Sequence, residues 1–340
     1  MTTKCAVIIL NWNGEQLLAD FLSSVTRHTN PALARVIVAD NHSTDGSVSL
    51  LQRRFPDVER LLLDRNHGFA GGYNRAINQV DAEYIVLLNS DVEVTTGWLE
   101  PLVALLDRER DVAAVQPKIR SWRHRDTFEY AGACGGYIDR LGFPFCRGRI
   151  LDTVERDTGQ YDTPARVFWA TGAALCIRRH LYLEAGGLDE TFFAHMEEID
   201  LCWRLHNRGH AIMVEPASTV YHLGGGTLPV NHPRKLFLNY RNNLWMLRKN
   251  LPAGSRRRVL LQRTIVDAAS ACIFLLKGEV ANARSLLRAY AACRASRPDT
   301  DKEARPRLPD TVYRRAILWD YFARRRAIFS KLPPFDKPSP

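Results

Sequence analysis

Short, continuous apolar runs alternate with helical segments over the first ninety residues or so. The apolar runs are CAVIILN, RVIVADN, VERLLLD and YIVLLNSD, and the helical segments between them are Glu15 to Arg27, SVSLLQRRF and AGGYNRAINQV. Strands that are apolar on both faces, with helices in between, are typical of a parallel sheet covered by helices on both sides. The sequence therefore predicts an α/β fold with a mostly parallel sheet.

The candidate site lies just after these strands, because ligands of open α/β sheets bind beyond the carboxyl ends of the strands. The residues in these positions are Asn11-Trp12-Asn13, Asp40-Asn41 and Asn89-Ser90-Asp91. Asp40, at a strand end, can accept a hydrogen bond from a uracil or thymine N–H or from a ribose hydroxyl. An Asx turn with a helix N-cap is the alternative, and it suits Asp45 and Ser47 better than Asp40.

A glycine-rich stretch, RNHGFAGGYNRAI, precedes the third helix. Glycine lets the backbone approach a ligand closely, and the N–H groups at a helix start favour a diphosphate. The stretch lacks the Gly-Lys-Ser/Thr ending of a P-loop and does not match GxGxxG. The alternative to a diphosphate site is a tight turn and a closely packed helix start.

Asp91 is a candidate ligand for a hard divalent cation, which takes oxygen ligands and bridges phosphate oxygens. One aspartate needs further ligands, which substrate oxygens, water or a distant histidine can supply. His222, in VYHLGGGT, follows a strand and precedes three glycines, so it is a candidate for that histidine. The alternatives are a strand-terminating turn at Asp91 and a purely structural His222.

The stretch FFAHMEEIDLCWR places three carboxylates within four residues of a predicted helix. On a helical wheel of about 100° per residue, Glu198 falls within the apolar arc and Glu197 at its edge. Asp200 falls on the polar side, where it pairs with Arg204 at i,i+4. A desolvated carboxylate has a raised pKa, which suits Glu198 as a general base. The alternative is that all three acids complement the helix dipole.

Charge divides the chain into two parts. Residues 1–240 hold 25 Lys/Arg and 29 Asp/Glu, a net charge of −4, whereas residues 241–340 hold 22 and 8, a net charge of +14. A uniformly basic nucleic-acid binder would not show this division, so we expect no nucleic-acid partner. The basic part is helical with apolar segments, which predicts helices that lie on an anionic membrane surface. A helical pair packed on the preceding domain is the alternative.

The remaining segments carry weaker signals. Residues 120–165 lack periodicity and predict an irregular insertion that covers the substrate, while VFWATGAALCIRR and HAIMVEPASTVYH predict further strands.

Seven cysteines without a CxxC pair indicate reduced thiols in a cytosolic protein, and Cys5, Cys176, Cys202 and Cys272 lie in apolar runs. No uncharged apolar run of about 18 residues is present, so no transmembrane helix is predicted.

Four stretches together, VIILNWNG, VADNHSTDGS, YIVLLNSD and GGLDETFFAHMEEIDLCWR, resemble the inverting nucleotide-sugar glycosyltransferases of family 2. The resemblance covers about residues 4–240 and is greatest to the bacterial rhamnosyltransferase-like branch. It implies the GT-A fold, a Rossmann-like, mostly parallel sheet flanked by helices, as a catalytic domain over residues 1–240. Residues 241–340 are then a basic helical C-terminal appendage.

The resemblance implies a role for each matched position. Glu198 falls where the family has its catalytic carboxylate, with Glu197 as the second candidate. Asp91 matches the last acid of the metal-binding Asp-x-Asp, whose first acid is Asn89 here, and binds Mg2+ or Mn2+ together with His222. The expected nucleotide-sugar site contains ten residues: Asn11, Asn13, Asp40, Asn41, Gly71, Asn74, Asn89, Ser90, Thr171 and Gly172.

The expected reaction is inverting transfer of a sugar, with rhamnose as one candidate, from a UDP- or dTDP-sugar to a hydroxyl of a glycan or lipid-linked glycan in cell-surface polysaccharide synthesis. The expected location is the cytoplasm, at the inner face of the membrane. Two alternatives stay open from the sequence. One is a nucleotidyltransferase on a similar sheet, although NWNGEQLL offers no basic residue to hold a triphosphate. The other is a non-catalytic sugar-nucleotide-binding partner.

Overall fold

The computed structural model describes residues 4–224, 232–295, 306 and 308–335. The described strands are β1 (Cys5–Asn11), β2 (Ala34–Asp40), β3 (Glu59–Leu62), β4 (Tyr84–Asn89), β5 (Val92–Val94), β6 (Val112–Ser121), β7 (Gly136–Asp139), β8 (Pro144–Cys146), β9 (Arg149–Ile150), β10 (Thr153–Val154), β11 (Ala165–Val167), β12 (Ala174–Arg178), β13 (Ala211–His222) and β14 (Val312–Tyr313).

The described helices are α1 (Glu15–His28), α2 (Ser47–Arg54), α3 (Gly68–Asn78), α4 (Glu100–Arg108), α5 (Arg179–Glu184), α6 (Glu197–Asn207), α7 (Pro233–Asn250), α8 (Ala253–Leu276), α9 (Val280–Ala295) and α10 (Ile317–Phe322). Two short 3-10 helices span Glu190–Phe192 and Phe329–Lys331.

A large sheet forms the centre of the described chain, with the strand order β11-β13-β6-β12-β4-β1-β2-β3 and β5 paired to β13. Strands β3, β2, β1 and β4 are parallel, and β12 runs antiparallel between β4 and β6. Alternate residues of β1 enter two separate cores, Ala6 and Ile8 on one face and Val7 and Ile9 on the other. The predicted α/β fold, with both sheet faces covered, is confirmed; the sheet is parallel in its first four strands and mixed beyond them.

The register of the parallel strands brings the predicted polar residues to one edge. Asn11 lies opposite Asp40 on β2, and Leu10 lies opposite Asn89 on β4. The predicted strand CAVIILN has the bounds of β1, and the first predicted helix ends one residue early, at Arg27 rather than His28. The carboxyl ends of β1, β2 and β4 therefore meet, as their position in a parallel sheet requires.

The segment 120–165 is not irregular, in contrast to the expectation from the sequence. Strands β7, β8, β9 and β10 form a second sheet in the order β10-β9-β8-β7-β14. Strand β14 pairs in parallel with β7, Val312 opposite Ile138 and Tyr313 opposite Asp139. These strands contain two to four residues each, too few to show a period of two in the sequence.

The C-terminal region packs against the rest of the chain at several places. The predicted division at residue 240 falls inside α7, which begins at Pro233. Residues beyond α10 return to the second sheet, where Phe329 and Phe335 contact Tyr137 and Phe145. The glycines at 225–226 and the last five residues of the proline-rich tail lie outside the described residues.

Helix α8 is long and apolar enough to cross a membrane by length and composition alone, unlike the sequence-based expectation of no such helix. Two of its charged residues, Arg263 and Asp267, pair at 2.8 Å as their i,i+4 spacing predicts. Both are buried, and Arg263 also stacks on Phe143, so the pair faces the protein. Cys272, expected in the core, is exposed on the outer face of α8.

The polar side of α6 is buried, which the helical wheel did not predict. Asp200 pairs with Arg204 at 2.7 Å, as expected, but its side chain is fully inaccessible to solvent. It also accepts hydrogen bonds from Lys249 at 2.9 Å and from Asn250 at 2.7 Å, both on α7. The wheel describes α6 alone, whereas α7 covers this face and supplies the partners that a buried carboxylate requires.

Lys249→Ala should lower the free energy of unfolding by about 3 kcal/mol, because it deprives a buried carboxylate of one cationic partner while Arg204 remains. Urea denaturation followed by circular dichroism measures this difference. Lys277→Ala, which removes an exposed lysine after α8, is the matched control and should change stability by less than about 0.5 kcal/mol. Equal stabilities of the two variants would contradict a stabilising role for the contacts between α6 and α7.

Candidate active site

Asn11 and Asp40 form the polar end of β1 and β2. The Asn11 side-chain amide donates to Asp40 Oδ2 at 3.0 Å and to Ser43 Oγ at 3.1 Å. Both residues are almost completely buried, and Asn11 Oδ1 has no hydrogen-bond partner among the described residues. A buried acceptor without a donor is unfavourable, so a ligand N–H at this position would stabilise it.

The Asn11 side chain packs against Gly14, where a Cβ atom would lie 2.5 Å from Asn11 Oδ1. Asn13 is exposed, with a φ of 51°, and its Oδ1 accepts the Thr44 backbone N–H at 2.7 Å. Ser90, at the end of β4, also lies beside Gly14. The turn after β1 is therefore folded tightly over the edge that carries Asn11 and Asp40.

Asn41 shapes the start of the glycine-rich helix α3. Its amide donates to Asn66 Oδ1 and to the Gly68 carbonyl, both at 3.0 Å, and its Oδ1 accepts the His67 N–H at 2.9 Å. Gly72 lies so close to β1 that a Cβ atom there would be 2.6 Å from Leu10. Asn41 therefore holds the helix start, and the glycine allows close packing, which is the structural alternative considered from the sequence.

Gly71 and Asn74 lie further along α3, away from the strand ends. Gly71 faces the side chains of Arg75, Glu190 and His67. Asn74 Oδ1 accepts hydrogen bonds from the Tyr182 hydroxyl at 2.6 Å and the Leu188 N–H at 2.9 Å, and its amide donates to the Leu188 carbonyl. Asn74 thus holds the segment that leads into α6, and its predicted contact with the donor stays a prediction.

Asp91, His222 and Glu129 form a row of charges beside this edge. His222 Nε2 lies 3.1 Å from Asp91 Oδ1, and His222 Nδ1 lies 3.6 Å from Glu129 Oε1. The Asn89 amide is 3.5 Å from His222 Nε2. Sequence reasoning did not find Glu129, which belongs to the segment after β6 and carries no motif signal.

The charges in this row change one another's pKa. Burial favours neutral forms, but the hydrogen bond and positive charge of His222 outweigh it and hold the pKa of Asp91 below its usual value. Burial likewise opposes charge on His222, yet its contacts with Asp91 and Glu129 raise the pKa of His222 to about 10. An ionised carboxylate next to an imidazolium is therefore the resting arrangement.

The donor atoms of Asp91 and His222 suit one divalent cation. A carboxylate oxygen and an imidazole nitrogen 3.1 Å apart can share a metal ion once the proton on Nε2 leaves, and an oxygen–nitrogen pair suits Mn2+. No cluster of three or more His, Cys, Asp or Glu side chains around one point occurs among residues 4–224, 232–295, 306 and 308–335. The remaining coordination positions would fall to ligand oxygens and water.

Glu197 and Glu198 lie in the first turn of α6, side by side in sequence and both shielded from water. Glu197 is buried and Glu198 is half-buried, and each has an Oε2 atom without a hydrogen-bond partner in the described chain. The β-carbon of Glu198 is 3.8 Å from where a Cβ on Gly172 would be. Thr171, next to Gly172, is buried and fixed by Gln116, which accepts its N–H at 3.0 Å.

Burial raises the pKa of both glutamates. It raises the pKa of Glu198 to about 7, and it raises the pKa of Glu197 well above its usual value, with the nearby charge of Glu198 as a second cause. Two adjacent carboxylates in a poorly solvated place do not both ionise readily. The two glutamates are therefore a pair of carboxylates with raised pKa values, one of which can exchange a proton near neutral pH.

The chain segment before α6 has an unusual backbone. Phe193, His195 and Met196 all have positive φ values, of 66°, 70° and 73°, although none is glycine. Each such residue costs about 1–3 kcal/mol unless its surroundings hold it there. Strain of this kind directly before two desolvated carboxylates is typical of functional sites.

Comparisons with known proteins show which sequences and folds this chain is similar to. Residues 6–145 match the model for glycosyl transferase family 2. The chain is 29% identical over 240 residues to N-acetylglucosaminyl-diphospho-decaprenol L-rhamnosyltransferase of Mycobacterium tuberculosis, covering 65% of this chain and 76% of that protein. It is 25% identical over 224 residues to the O-antigen biosynthesis protein RfbC of Myxococcus xanthus, covering 65% of this chain and 17% of that protein.

Solved structures share the fold at low sequence identity. S. aureus TarS 1–349 in complex with UDP-GlcNAc aligns with a TM-score of 0.57 and 16% identity, covering 84% of this chain and 79% of TarS 1–349. GalNAc-T7 with UDP, GalNAc and Mn2+ aligns with a TM-score of 0.56 and 16% identity, covering 74% of this chain but only 49% of GalNAc-T7. Residues 6–145 therefore carry a glycosyl transferase family 2 domain, and the chain is a glycosyltransferase with the GT-A fold.

Proposed function

We propose that this glycosyltransferase is an inverting enzyme whose general base is Glu198. The observation that carries the proposal is the pair of desolvated glutamates at the start of α6, of which Glu198 has a pKa of about 7 and lies against Gly172. A base whose pKa lies near the working pH combines the ionised form with the ability to take a proton. Glu197, the more buried of the two, is the second candidate for the base.

The proposed reaction is a single displacement. Glu198 removes the proton from an acceptor hydroxyl as its oxygen attacks the anomeric carbon of the donor. The bond from that carbon to the diphosphate oxygen breaks on the opposite face, and the nucleoside diphosphate leaves with the electron pair. One new glycosidic bond forms with inverted configuration, and the proton remains on Glu198 until water accepts it.

The donor would bind at the strand ends. Asp40 and the unpartnered Oδ1 of Asn11 offer acceptors for a pyrimidine N–H or a ribose hydroxyl. Asp91 and His222 would hold Mg2+ or Mn2+, which supplies positive charge to the departing diphosphate when bound. GalNAc-T7 and the mannosyltransferase PcManGT, which share this fold, were solved with Mn2+.

The proposed substrates follow from the named relatives. One relative is a rhamnosyltransferase whose name specifies a diphospho-decaprenol acceptor, and TarS was solved with UDP-GlcNAc. We therefore propose a dTDP- or UDP-sugar as donor, with dTDP-rhamnose as the first candidate. The proposed acceptor is a lipid-linked glycan of cell-surface polysaccharide synthesis, presented at the inner face of the membrane.

A surface formed by α8 and α10 supports this membrane location. Trp319 and Phe322 on α10 are 61% and 71% exposed, and Leu276 at the end of α8 is 88% exposed. Between the two helices is an open cavity of about 970 Å³ that is lined mainly by apolar side chains, including Val266 and Ile273. Large apolar side chains exposed together indicate an interaction surface.

The charges around this α8–α10 surface suit an anionic bilayer. Arg140, Arg315 and Arg324 line the same cavity, and Asp320 is the acidic residue among its described lining residues. Asp320 is buried and paired with Arg315, Arg324 and Arg326, whereas Arg140 and Arg324 are exposed, so positive charge faces outwards. Apolar side chains ringed by arginines bind at the interface of a membrane with anionic lipids. The proposed partner of this surface is therefore the anionic inner leaflet.

Glu198→Gln should reduce transfer by about 10³-fold, because an amide cannot take the acceptor proton, while donor affinity stays within about two-fold of wild type. Turnover of dTDP-rhamnose and UDP-GlcNAc, read as product mass, and calorimetric binding of UDP and dTDP measure the two effects. Asp126→Ala, which removes an exposed carboxylate elsewhere, is the control. Normal turnover in Glu198→Gln would contradict the assignment of the base.

The kcat/KM of the wild-type protein should also fall as the pH is lowered. Because Glu198 must be ionised to act and its pKa is about 7, kcat/KM should fall about ten-fold for each pH unit below that value. Initial rates between pH 5 and pH 9 measure this limb. A rate that stays flat down to pH 5 would show that a carboxylate with an ordinary pKa is the base.

Asp91→Ala should abolish the effect of Mn2+ on nucleotide binding, since it removes the carboxylate that contacts His222 Nε2. Calorimetry with UDP and dTDP, with and without Mn2+, measures the effect. We expect a loss of more than ten-fold in metal-dependent affinity and little change without metal. Asp126→Ala should behave like wild type, and unchanged metal dependence in Asp91→Ala would exclude Asp91 as a ligand.

Trp319→Ser together with Phe322→Ser should weaken binding to anionic vesicles by ten-fold or more, because both side chains lose their apolar contact with lipid. Co-sedimentation with phosphatidylglycerol and phosphatidylcholine vesicles measures binding. Leu62→Ser, which removes an equally exposed leucine from β3, is the control. Equal binding of all three proteins, or equal binding of wild type to both lipids, would contradict the proposed surface.

A further inference from the structure

Helix α7 contacts residues 191–196, the segment that contains the strained backbone and leads into α6. The Asn242 side-chain amide donates to the backbone carbonyls of Phe192, Ala194 and His195, at 3.0, 2.8 and 2.8 Å. Asn242 is fully buried, so water does not reach its side-chain amide and compete for these hydrogen bonds. Because the amide has two N–H hydrogens, one of them is shared between two of these carbonyls, and together the contacts fix the path of this segment.

Arg241 adds a second set of contacts to the same segment. Its guanidinium donates to the carbonyls of Thr191 at 3.3 Å and Phe192 at 2.9 Å, and to Asn242 Oδ1 at 2.9 Å. It stacks on Trp245 of the same helix, with 4.3 Å between the guanidinium and the ring centre. Asn242 therefore receives a hydrogen bond that orients its amide group towards the segment.

The backbone held in this way is one that these residues do not adopt readily. Phe193 has φ 66° and ψ −55°, and the Ala194 N–H donates to the Phe192 carbonyl at 2.8 Å, which is the rare and strained form of a γ-turn. His195 and Met196 follow in left-handed conformations. Without outside contacts, these three residues would relax to negative φ values and turn the chain in another direction.

The path of the segment sets where the two glutamates lie. Met196 is the N-cap of α6 and directly precedes Glu197, and its carbonyl accepts the Asp200 N–H at 2.8 Å. Any change at residues 193–196 therefore moves the first turn of α6, in which Glu198 lies against Gly172. A displacement of about 1 Å in a catalytic group can reduce the rate about 100-fold.

We propose that Asn242 is a positioning residue that fixes the left-handed segment before α6 and thereby places Glu197 and Glu198. It acts through the backbone carbonyls and contacts neither glutamate side chain. This inference rests on the proposed function, in which Glu198 is the base. It also assigns part of the catalytic geometry to α7, a helix outside the residues that match the family model.

The test compares Asn242→Ala with Asn243→Ala. Asn243 is the next residue on α7 and is equally buried, and its amide donates to the Gly142 carbonyl at 2.7 Å, away from the segment before α6. Both variants lose one buried amide, so both should lose stability in urea denaturation. Only Asn242→Ala should lower kcat, by about 10–100-fold, with the donor KM within about two-fold of wild type.

The pH profile separates positioning from a general loss of stability. In Asn242→Ala the glutamates become better solvated, so the acidic limb of kcat/KM should move from about pH 7 towards lower pH by one unit or more. Asn243→Ala should keep the wild-type limb. The donor for these rates is dTDP-rhamnose or UDP-GlcNAc, whichever the wild-type protein turns over.

Rescue gives an independent measurement. Adding Met196→Gly to Asn242→Ala should restore part of kcat, because glycine adopts a positive φ without strain. If Asn242→Ala does not fold, Asn242→Ser replaces it. Serine keeps a hydrogen-bond donor, so this variant should lose less kcat, and its acidic limb of kcat/KM should move in the same direction.

The inference would be overturned if a folded Asn242 variant kept the wild-type kcat and the wild-type acidic limb of kcat/KM. It would also be overturned if Asn243→Ala showed the same shift of that limb. Absence of wild-type turnover would instead contradict the proposed function.

Discussion

The arrangement of the region around Glu197 and Glu198 depends on the contacts of one buried carboxylate, that of Asp200. Arg204, Lys249 and Asn250 all contact it, and Arg204 also donates to the carbonyls of Ala185 and Gly187. A buried charge without partners is strongly unfavourable. The contacts of Asp200 therefore stabilise the packing of α6 against α7, and Asn242 of α7 lies against the segment that precedes the two glutamates.

Carboxylates of the candidate site lie in two environments that shift their pKa values in opposite directions. At the start of α6, burial raises the pKa of Glu197 and Glu198, and no cationic group among the described residues pairs with either of them. At the sheet edge, His222 holds the pKa of Asp91 low. Environments that push carboxylate pKa values apart are a sign of different chemical roles. The proposed single displacement would use the first environment to accept a proton and the second to place charge beside a diphosphate.

The C-terminal region combines structural and surface roles. Its last described residues complete the second sheet through β14 and contribute Phe329 and Phe335 to an aromatic cluster with Tyr137 and Phe145. Its charged pair, Arg263 and Asp267, faces inwards. These contacts occupy one side of the region, and the apolar side chains of Leu276, Trp319 and Phe322 on α8 and α10 remain exposed.

The sequence by itself determined the α/β fold, the bounds of β1, and the strand-end residues Asn11, Asp40, Asn89 and Asp91, because apolar runs and helical periods are local signals. It also selected Glu198 as the candidate base on a helical wheel, although the structure buries Asp200 and Glu197 more completely than Glu198. Only the tertiary structure decided that Asp200 is buried, that Glu129 joins His222, that Asn74 supports the segment before α6, and that residues 136–154 form a sheet with β14. Each of these depends on partners distant in sequence, whose approach no local period encodes.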